Sequence, residues 1–163
     1  MQISRAGEYG VLGLINLPAF YNATVLDHFL NPRNVGDVPE PEAIGLAGEP
    51  NCGDAMRLSL RIQNGKILDA RFRTVGCGAA IASSSMATEL IKGRSVEQAR
   101  QFSNQEIVAA LGGLPPAKIQ CSVLAGQALR AALEDYEKRH PGAAAPRTEC
   151  APQKPAPRRR RQG

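Results

Sequence analysis

Three of the four cysteines in this 163-residue chain stand where the sequence pattern changes from one predicted element to the next. Cys52 and Cys77 are flanked by glycine, and Cys121 follows a Pro-Pro loop, so the backbone can bend tightly beside each thiol. Thiolates bind metals and accept sulfur from persulfides, and a helix N-terminus favours the thiolate form. A single cysteine is more often a small apolar core residue. Three in equivalent positions favour a shared metal site, although their spacing does not distinguish iron from zinc.

Other polar residues near these cysteines have both chemical and structural interpretations. Asp54, two residues after the first of them, offers a carboxylate to a metal, although an aspartate at the start of a strand also caps turns. Cys150 lies in a proline-rich tail and is expected to be incidental. His28 is expected to pack against the predicted hairpin or to face solvent. The serine run at 83–85 predicts a helix face that packs closely against another element.

An antiparallel hairpin is the first element that would position the cysteines. Residues 56–62 alternate between apolar and polar types, which is typical of a half-buried strand; the apolar members are Met56, Leu58, Leu60 and Ile62. Asn64-Gly65 indicates a two-residue turn, because both central residues of a type I′ turn need positive φ. The return strand is expected to present on one face Leu68, Ala70, Phe72 and Thr74. Cys52 therefore precedes the hairpin and Cys77 follows it.

Helices are predicted on both sides of this hairpin in the sequence. A short helix begins near Tyr21 and ends where Asn31 precedes Pro32. Residues 34–53 are rich in glycine and proline and are expected to be loop. After Cys77 a second helix runs to Gly93, a glycine suited to the left-handed conformation that ends helices.

The C-terminal half of the predicted domain is helical as well. The pairs Ser95–Gln98 and Ser103–Glu106 match capping boxes and start two short helices. The longest helix is predicted from Ser122 to about His140, with one apolar stripe formed by Leu124, Ala128, Leu129, Ala132, Leu133 and Tyr136. The fold class is therefore α+β, with a small antiparallel sheet (the hairpin and a possible third strand) covered by several helices.

Charge and hydropathy restrict the partners and the compartment. The net charge is +5, but six of the twenty Lys and Arg and one of the fifteen acidic residues follow His140, so the first 140 residues are balanced. A basic surface for nucleic acid is not expected, and no segment is apolar enough to span a membrane. We expect a cytoplasmic protein with reduced thiols. We also expect three segments: a poorly ordered extension at 1–20, one domain at 21–140 and a disordered Pro/Arg-rich basic tail at 141–163.

Four motifs together resemble one family. "DHFLNPRNVG", "PNCGDAMRL", "DARFRTVGCGAAIASSSMATELIKG" and "LPPAKIQCSVLAGQAL" are similar, in this order, to the scaffold proteins of iron–sulfur cluster assembly, the IscU type and the N-terminal domain of NifU. The resemblance covers roughly residues 21–140. It implies a SufE/NifU-like fold and a non-enzymatic scaffold for a transient 2Fe–2S cluster built from ferrous iron.

The same resemblance implies roles for individual residues. Cys52, Cys77 and Cys121 would ligate the cluster, and Asp54 would contribute to the metal site and keep the cluster labile. Cys121 would also accept persulfide sulfur from a cysteine desulfurase. The loop formed by Leu114, Pro115, Pro116, Ala117 and Lys118 would bind an Hsp70-type chaperone with its J-type partner, in an extended conformation preset by the two prolines. Apo iron–sulfur proteins would accept the cluster, and a homodimer is also considered.

One position departs from the family pattern. Where these scaffolds usually carry histidine before the third cysteine, this chain has Gln120. An amide oxygen is a poor ligand for a soft, sulfur-rich site, whereas imidazole is a good one. Asp54 is therefore preferred as the fourth ligand, although Gln120 could bind weakly or the position could stay open to water or to the desulfurase.

Two other functions remain open from the sequence. The protein could be a persulfide acceptor of a desulfurase with Zn²⁺ held by Cys52, Asp54 and Cys77, as in zinc-dependent relatives of this fold. The intact Leu114–Lys118 loop favours the scaffold over that alternative. A structural zinc module is also disfavoured, because closed structural sites normally use four Cys or His ligands.

Overall fold

The computed structural model describes residues 21–49 and 53–142. The predicted extension at 1–20, Cys52 and the tail from residue 143 onward, with Cys150, lie outside the described residues. The elements in chain order are α1 (Ala23–Leu30), β1 (Ala43–Glu49), β2 (Asp54–Gln63), β3 (Lys66–Val75), α2 (Gly78–Ile91), α3 (Val96–Arg100), α4 (Asn104–Ala110), a 3₁₀ turn (Pro116–Lys118) and α5 (Ile119–Arg139).

The three strands form one antiparallel sheet in the order β1-β2-β3. The predicted hairpin is confirmed: Gln63 pairs with Lys66, and Asn64 and Gly65 between them have φ of 52° and 72°. Positive φ at both turn residues matches the twist of the strands on either side. The fold class is confirmed as α+β, and the possible third strand is present as β1.

The prediction that residues 34–53 are all loop is wrong for β1. Its sequence, AIGLAGE, holds two glycines and no clear alternation, so its local strand signal is weak. Tertiary packing explains the strand: at Gly45 a Cβ would lie 1.9 Å from the Ala128 carbonyl oxygen of α5. The missing side chain lets the helix backbone approach the strand closely, and this contact stabilises β1 at the edge of the sheet.

The predicted face of β3 is wrong at Leu68, which is 49% exposed, while Ile67 beside it is buried. The cause is an irregularity between β2 and β3, where Arg61 pairs with Asp69 but Ile62 pairs with Ile67. Leu68 is the extra residue of this β-bulge, and a one-residue shift exchanges the faces of a strand. Ala70, Phe72 and Thr74, beyond the bulge, are buried as predicted.

The helices cover one face of the sheet and form the core with it. All members of the predicted α5 stripe are buried, as are Met56, Leu58, Leu60 and Ile62 of β2. The helix α2 is buried along most of its length, including the serine run at 83–85, as predicted. Both capping boxes are present, and Gly93 adopts φ of 83° after the end of α2, so these helix boundaries are confirmed.

The start of α5 was predicted three residues too late. The helix begins at Ile119 and not at Ser122, because the preceding 3₁₀ turn leads directly into it. That turn is closed by a hydrogen bond of 2.7 Å from the Lys118 amide to the Pro115 carbonyl. Cys121 therefore lies in the first turn of α5 and not before it. Within the part of the chain that the structure describes, no helix is long and apolar enough to cross a membrane.

Candidate metal site

Three of the predicted site residues come together at one end of the sheet. One ligand atom from each of Asp54, Cys77 and Cys121 lies within 4.8 Å of the other two. The two sulfur atoms are 3.5 Å apart, and the Cys121 sulfur is 3.9 Å from Asp54 Oδ2. Two thiols and one carboxylate at these distances can converge on a single iron or zinc ion.

Each of these residues is held by the end of a different element. Asp54 opens β2, Cys77 is the N-cap residue of α2, and Cys121 lies in the first turn of α5. The pairing of Ala55 with Val75 fixes the start of β2 beside the end of β3. A Cβ at Gly76 would lie 2.8 Å from Asp54 Oδ1. A side chain at residue 76 would therefore displace the carboxylate from this position beside the Cys77 segment.

The two thiols of the site are electrostatically unequal. The hydrogen bond from Cys121 lowers the pKa of Cys77 to about 6, against the opposing effect of burial; the Ala80 amide and Lys118 lower it further. The same hydrogen bond, together with burial, raises the pKa of Cys121. The thiolate form is therefore favoured on Cys77 and the thiol form on Cys121.

Three further described residues lie near the sulfur pair or interact with its charge. Tyr21 and Leu114 pack against the small apolar cluster that contains Ala79, Ala80 and Cys121. Burial, followed by the charge of Cys77, raises the pKa of Tyr21. The Cys77 thiolate also raises the pKa of Lys118. No local sequence signal pointed to Tyr21 at this site, and Lys118 was predicted only as part of a docking loop.

Comparison with known proteins assigns this chain to a family. A family model described as the NifU-like N terminal domain matches residues 20–143. The chain belongs to this family. The IscU cluster assembly scaffold protein of Azotobacter vinelandii is 51% identical over 121 residues, which cover 72% of this chain and 94% of that protein. "Iron sulfur cluster assembly protein 1" of Trachipleistophora hominis is 49% identical over 123 residues, covering 74% and 88%.

A solved structure of a relative shows the same fold. The N-terminal NifU-like protein of Brucella abortus superposes with a TM-score of 0.60 over 73% of this chain and 95% of that chain, at 18% identity. At this identity the likeness concerns the fold alone. It agrees with the predicted SufE/NifU-like architecture.

The position predicted to depart from the family pattern is exposed. Gln120 lies in the first turn of α5, one residue before Cys121. Pro116 and Ala117 of the preceding loop are exposed as well, and Leu114, Pro115 and Lys118 are partly buried. The predicted extended conformation holds at Pro115, with φ −55° and ψ 141°, and is wrong for residues 116–118, which form the 3₁₀ turn.

His28 does not face solvent and has a partner that was not predicted. It is buried, and its Nδ1 is 2.9 Å from the Ser85 hydroxyl of α2. The same hydroxyl accepts a hydrogen bond from the Arg33 amide. His28 therefore packs on the helix that begins at Cys77, and the alternative of a solvent-facing ring is wrong. Its role is to attach α1 to α2.

Proposed function

We propose that this protein is the scaffold on which a labile 2Fe–2S cluster is assembled from ferrous iron and desulfurase-derived sulfur and then transferred to apo-proteins. The convergence of Asp54, Cys77 and Cys121 within 4.8 Å carries the proposal. Thiolates are the ligands that iron–sulfur clusters require. The scaffold names of the relatives support it. The protein acts as a carrier in this proposal, and the cluster is its cargo.

The proposed ligands are Cys52, Cys77, Cys121 and Asp54. Cys52 belongs to the set by its motif, two residues before Asp54 in the chain. Three thiolates with one hard oxygen ligand hold a cluster less tightly than four thiolates. That arrangement suits a product that must leave. Fe²⁺ is the metal delivered, and Zn²⁺ suits the same donors when iron is absent.

Cys121 is proposed as the acceptor of sulfur from the desulfurase persulfide. Its sulfur, 3.5 Å from that of Cys77, attacks the outer sulfur of the persulfide. A new S–S bond forms on Cys121, the S–S bond of the donor breaks, and the sulfur of the desulfurase cysteine leaves and takes up the proton that Cys121 releases. Reduction of this sulfur to sulfide needs electrons from an external reductant.

The partners follow from this role. A cysteine desulfurase supplies sulfur, apo iron–sulfur proteins receive the cluster, and an Hsp70-type chaperone with its J-type partner binds the Leu114–Lys118 loop. Pro116 and Ala117 present an exposed surface there. Reduced thiols require a reducing compartment, for which we propose the cytoplasm. A homodimer would supply further ligands for a larger cluster.

Anaerobic reconstitution tests the function. The metal-free protein is incubated with ferrous iron, cysteine and a desulfurase, and visible absorption, Mössbauer spectra and transfer to an apo-ferredoxin are recorded. A 2Fe–2S chromophore that transfers is expected. Serine at Cys52, Cys77 or Cys121 should abolish it, whereas Cys150→Ser is the matched control and should not. If the protein instead holds zinc tightly and forms no chromophore, the scaffold proposal is wrong and the zinc-dependent persulfide acceptor is favoured.

A further inference from the structure

The sulfur atoms of Cys77 and Cys121 are close enough to react with each other. They lie 3.5 Å apart, and reacting atoms are well placed for attack at separations of about 3–3.5 Å. To form a disulfide they need to approach by about a further 1.5 Å. Among the residues that the structure describes, these two are the only cysteines, and both are free thiols. The proposed metal site therefore contains a dithiol.

The two thiols differ in their freedom to make this approach. Cys77 is the N-cap residue of α2, has extended backbone angles (φ −75°, ψ 169°), and makes no capping hydrogen bond with its side chain. It is also partly exposed. Cys121 lies within the first turn of α5 and is 9% exposed. The Cys77 side chain can therefore rotate more freely toward Cys121 than the reverse.

The surroundings of Cys121 restrict its access to thiols in solution. Its sulfur belongs to a small apolar cluster whose members and neighbours include Tyr21, Ala79, Ala80 and Leu114. A dissolved thiol acts at its bulk concentration, whereas a side chain held in contact reacts at a far higher effective concentration. A reactive group on Cys121 therefore meets the Cys77 sulfur before it meets an external thiol.

A persulfide on Cys121, as in the proposed function, is such a reactive group. Its inner sulfur is the Cys121 Sγ atom, which lies 3.5 Å from Cys77 Sγ. Attack by Cys77 on this atom forms the Cys77–Cys121 disulfide and breaks the persulfide bond. The delivered sulfur leaves as hydrogen sulfide, with its own proton and the proton of Cys77. Counted from the dithiol, the two cysteine sulfurs lose one electron each and the delivered sulfur atom gains both.

We propose that Cys77 is the resolving thiol for sulfur delivered to Cys121: in the metal-free site it displaces this sulfur as hydrogen sulfide and closes a Cys77–Cys121 disulfide, whereas a metal ion on Cys77 prevents the displacement. This inference rests on the proposed scaffold function, because that function places the persulfide on Cys121. It adds a role for Cys77 that is separate from cluster ligation.

The consequence is a fixed order of metal and sulfur binding. The ligand atoms of Asp54, Cys77 and Cys121 lie within 4.8 Å of one another, and a metal ion bound there occupies the Cys77 lone pair that the attack needs. Sulfur on Cys121 is then retained for the cluster. Without metal, the sulfur is discharged and the disulfide withdraws two proposed ligands. The external reductant of the proposed function, a dithiol for example, then has to reduce this disulfide before the site can bind metal.

Anaerobic sulfur loading of the metal-free protein tests the inference. A desulfurase and one equivalent of cysteine deliver the sulfur with no other thiol present; released sulfide is measured, and peptide mass spectrometry identifies persulfides and disulfides. The wild type should release up to one sulfide per chain and gain the Cys77–Cys121 disulfide. In Cys77→Ser and Cys77→Ala the persulfide on Cys121 should last about tenfold longer or more. Cys150→Ser is the matched control and should behave as the wild type.

Two further samples use the wild type alone, so the test does not depend on the folding of a variant. Omitting the cysteine should leave both thiols reduced, because the delivered sulfur is the oxidant. Zn²⁺ bound before the desulfurase is added should prevent the Cys77–Cys121 disulfide. The rate of disulfide formation should also be independent of protein concentration, as expected for a reaction within one chain.

Several results would overturn the inference. These are a wild-type persulfide that lasts as long as that of Cys77→Ser, sulfur that moves onto Cys77, a disulfide of Cys121 with Cys52, and a Cys77–Cys121 disulfide that forms without cysteine or with zinc bound. If Cys121 keeps its persulfide equally in all variants, the acceptor role in the proposed function stands and only this inference fails. If no sulfur reaches Cys121 even in Cys77→Ser, the acceptor role fails and the inference fails with it.

Discussion

The sulfur atoms of Cys77 and Cys121 lie 3.5 Å apart although the two residues are 44 positions apart in the sequence. The contact joins the N-terminus of α2 to the first turn of α5. Because one sulfur donates a hydrogen bond to the other, the pair behaves as one titrating unit with two different members. The reactivity of the metal-free protein should show this inequality.

Cys77 should react with alkylating agents at a lower pH than an ordinary thiol. Its pKa is lowered to about 6, chiefly by the hydrogen bond from Cys121, and the thiolate is the reactive form. Iodoacetamide labelling of the metal-free protein from pH 5 to 9, with the labelled peptide identified by mass spectrometry, gives the midpoint. Cys121→Ala removes the donor and should move the midpoint toward the ordinary thiol value of about 8.5. An unchanged midpoint would contradict the hydrogen-bonded pair.

Asp54→Cys should give a longer-lived cluster that transfers more slowly. A fourth thiolate binds iron more tightly than the carboxylate does. Changes to residues that only support a metal ligand alter metal affinity about tenfold or more, so a change of the ligand itself should slow transfer by at least a similar factor. The decay of visible absorption and the transfer rate to apo-ferredoxin are the measurements. The control is Asp27→Cys, which adds a cysteine at an exposed position of α1 whose aspartate forms an ion pair with Arg33. Equal transfer rates for wild type and Asp54→Cys would remove Asp54 from the ligand set.

Gln120→His should slow cluster transfer and shift the absorption spectrum. The imidazole would supply a good nitrogen ligand one residue before Cys121, where the amide of Gln120 is a poor one. Gln127→His places the same side chain at an exposed position later in α5 and serves as control. If Gln120→His changes neither the spectrum nor the transfer rate, the idea that Gln120 in place of histidine makes the cluster more labile is wrong.

The stability of the protein should fall as the pH drops below about 6.5. Burial, aided by Arg33, lowers the pKa of His28 from its usual 6.5. Between the pKa of His28 in the folded chain and its pKa in the unfolded chain, the unfolded chain binds more protons, so acid favours unfolding. Above pH 6.5 the contribution of the neutral His28 to stability is fully present. Urea denaturation at pH 7.5, 6.5 and 5.5 gives the free energy of unfolding.

His28→Asn should make that pH dependence shallower. Loss of the ring and its contact with Ser85 should also lower the free energy of unfolding at pH 7.5 by about 1–3 kcal/mol. His140→Asn, at the exposed end of α5, is the matched control. A slope in His28→Asn as steep as that of the wild type would show that another group carries the pH dependence.

Gly45→Ala should destabilise the protein, whereas Gly48→Ala in the same strand should be tolerated. The added methyl at Gly45 would lie 1.9 Å from the Ala128 carbonyl oxygen and 2.5 Å from the Ala132 nitrogen, both backbone atoms. At Gly48 the nearest atom is 3.9 Å away. Forcing α5 from the sheet should cost about 1–3 kcal/mol or more of the free energy of unfolding. Equal thermal stability of the two variants would argue against this close helix–strand contact.

The sequence alone determined the features that depend on neighbouring residues. The β2–β3 hairpin follows from period-two alternation and from Asn64-Gly65, which accept positive φ. The short helices follow from their capping boxes, because each is closed by contacts within four residues. The chemical types of Asp54, Cys77 and Cys121 also identified them as candidate ligands before any distance was known.

Only the tertiary structure decided the features that depend on contacts between distant segments. β1 is a strand because Gly45 lets the backbone of α5 approach it, and Leu68 is exposed because a bulge shifts its register. His28 is buried because Ser85, 57 residues away, provides its partner. The site itself exists because the ends of β2, α2 and α5 meet. Local preferences determine which elements form, but the packing of these elements determines which side chains lie within a few ångströms of one another.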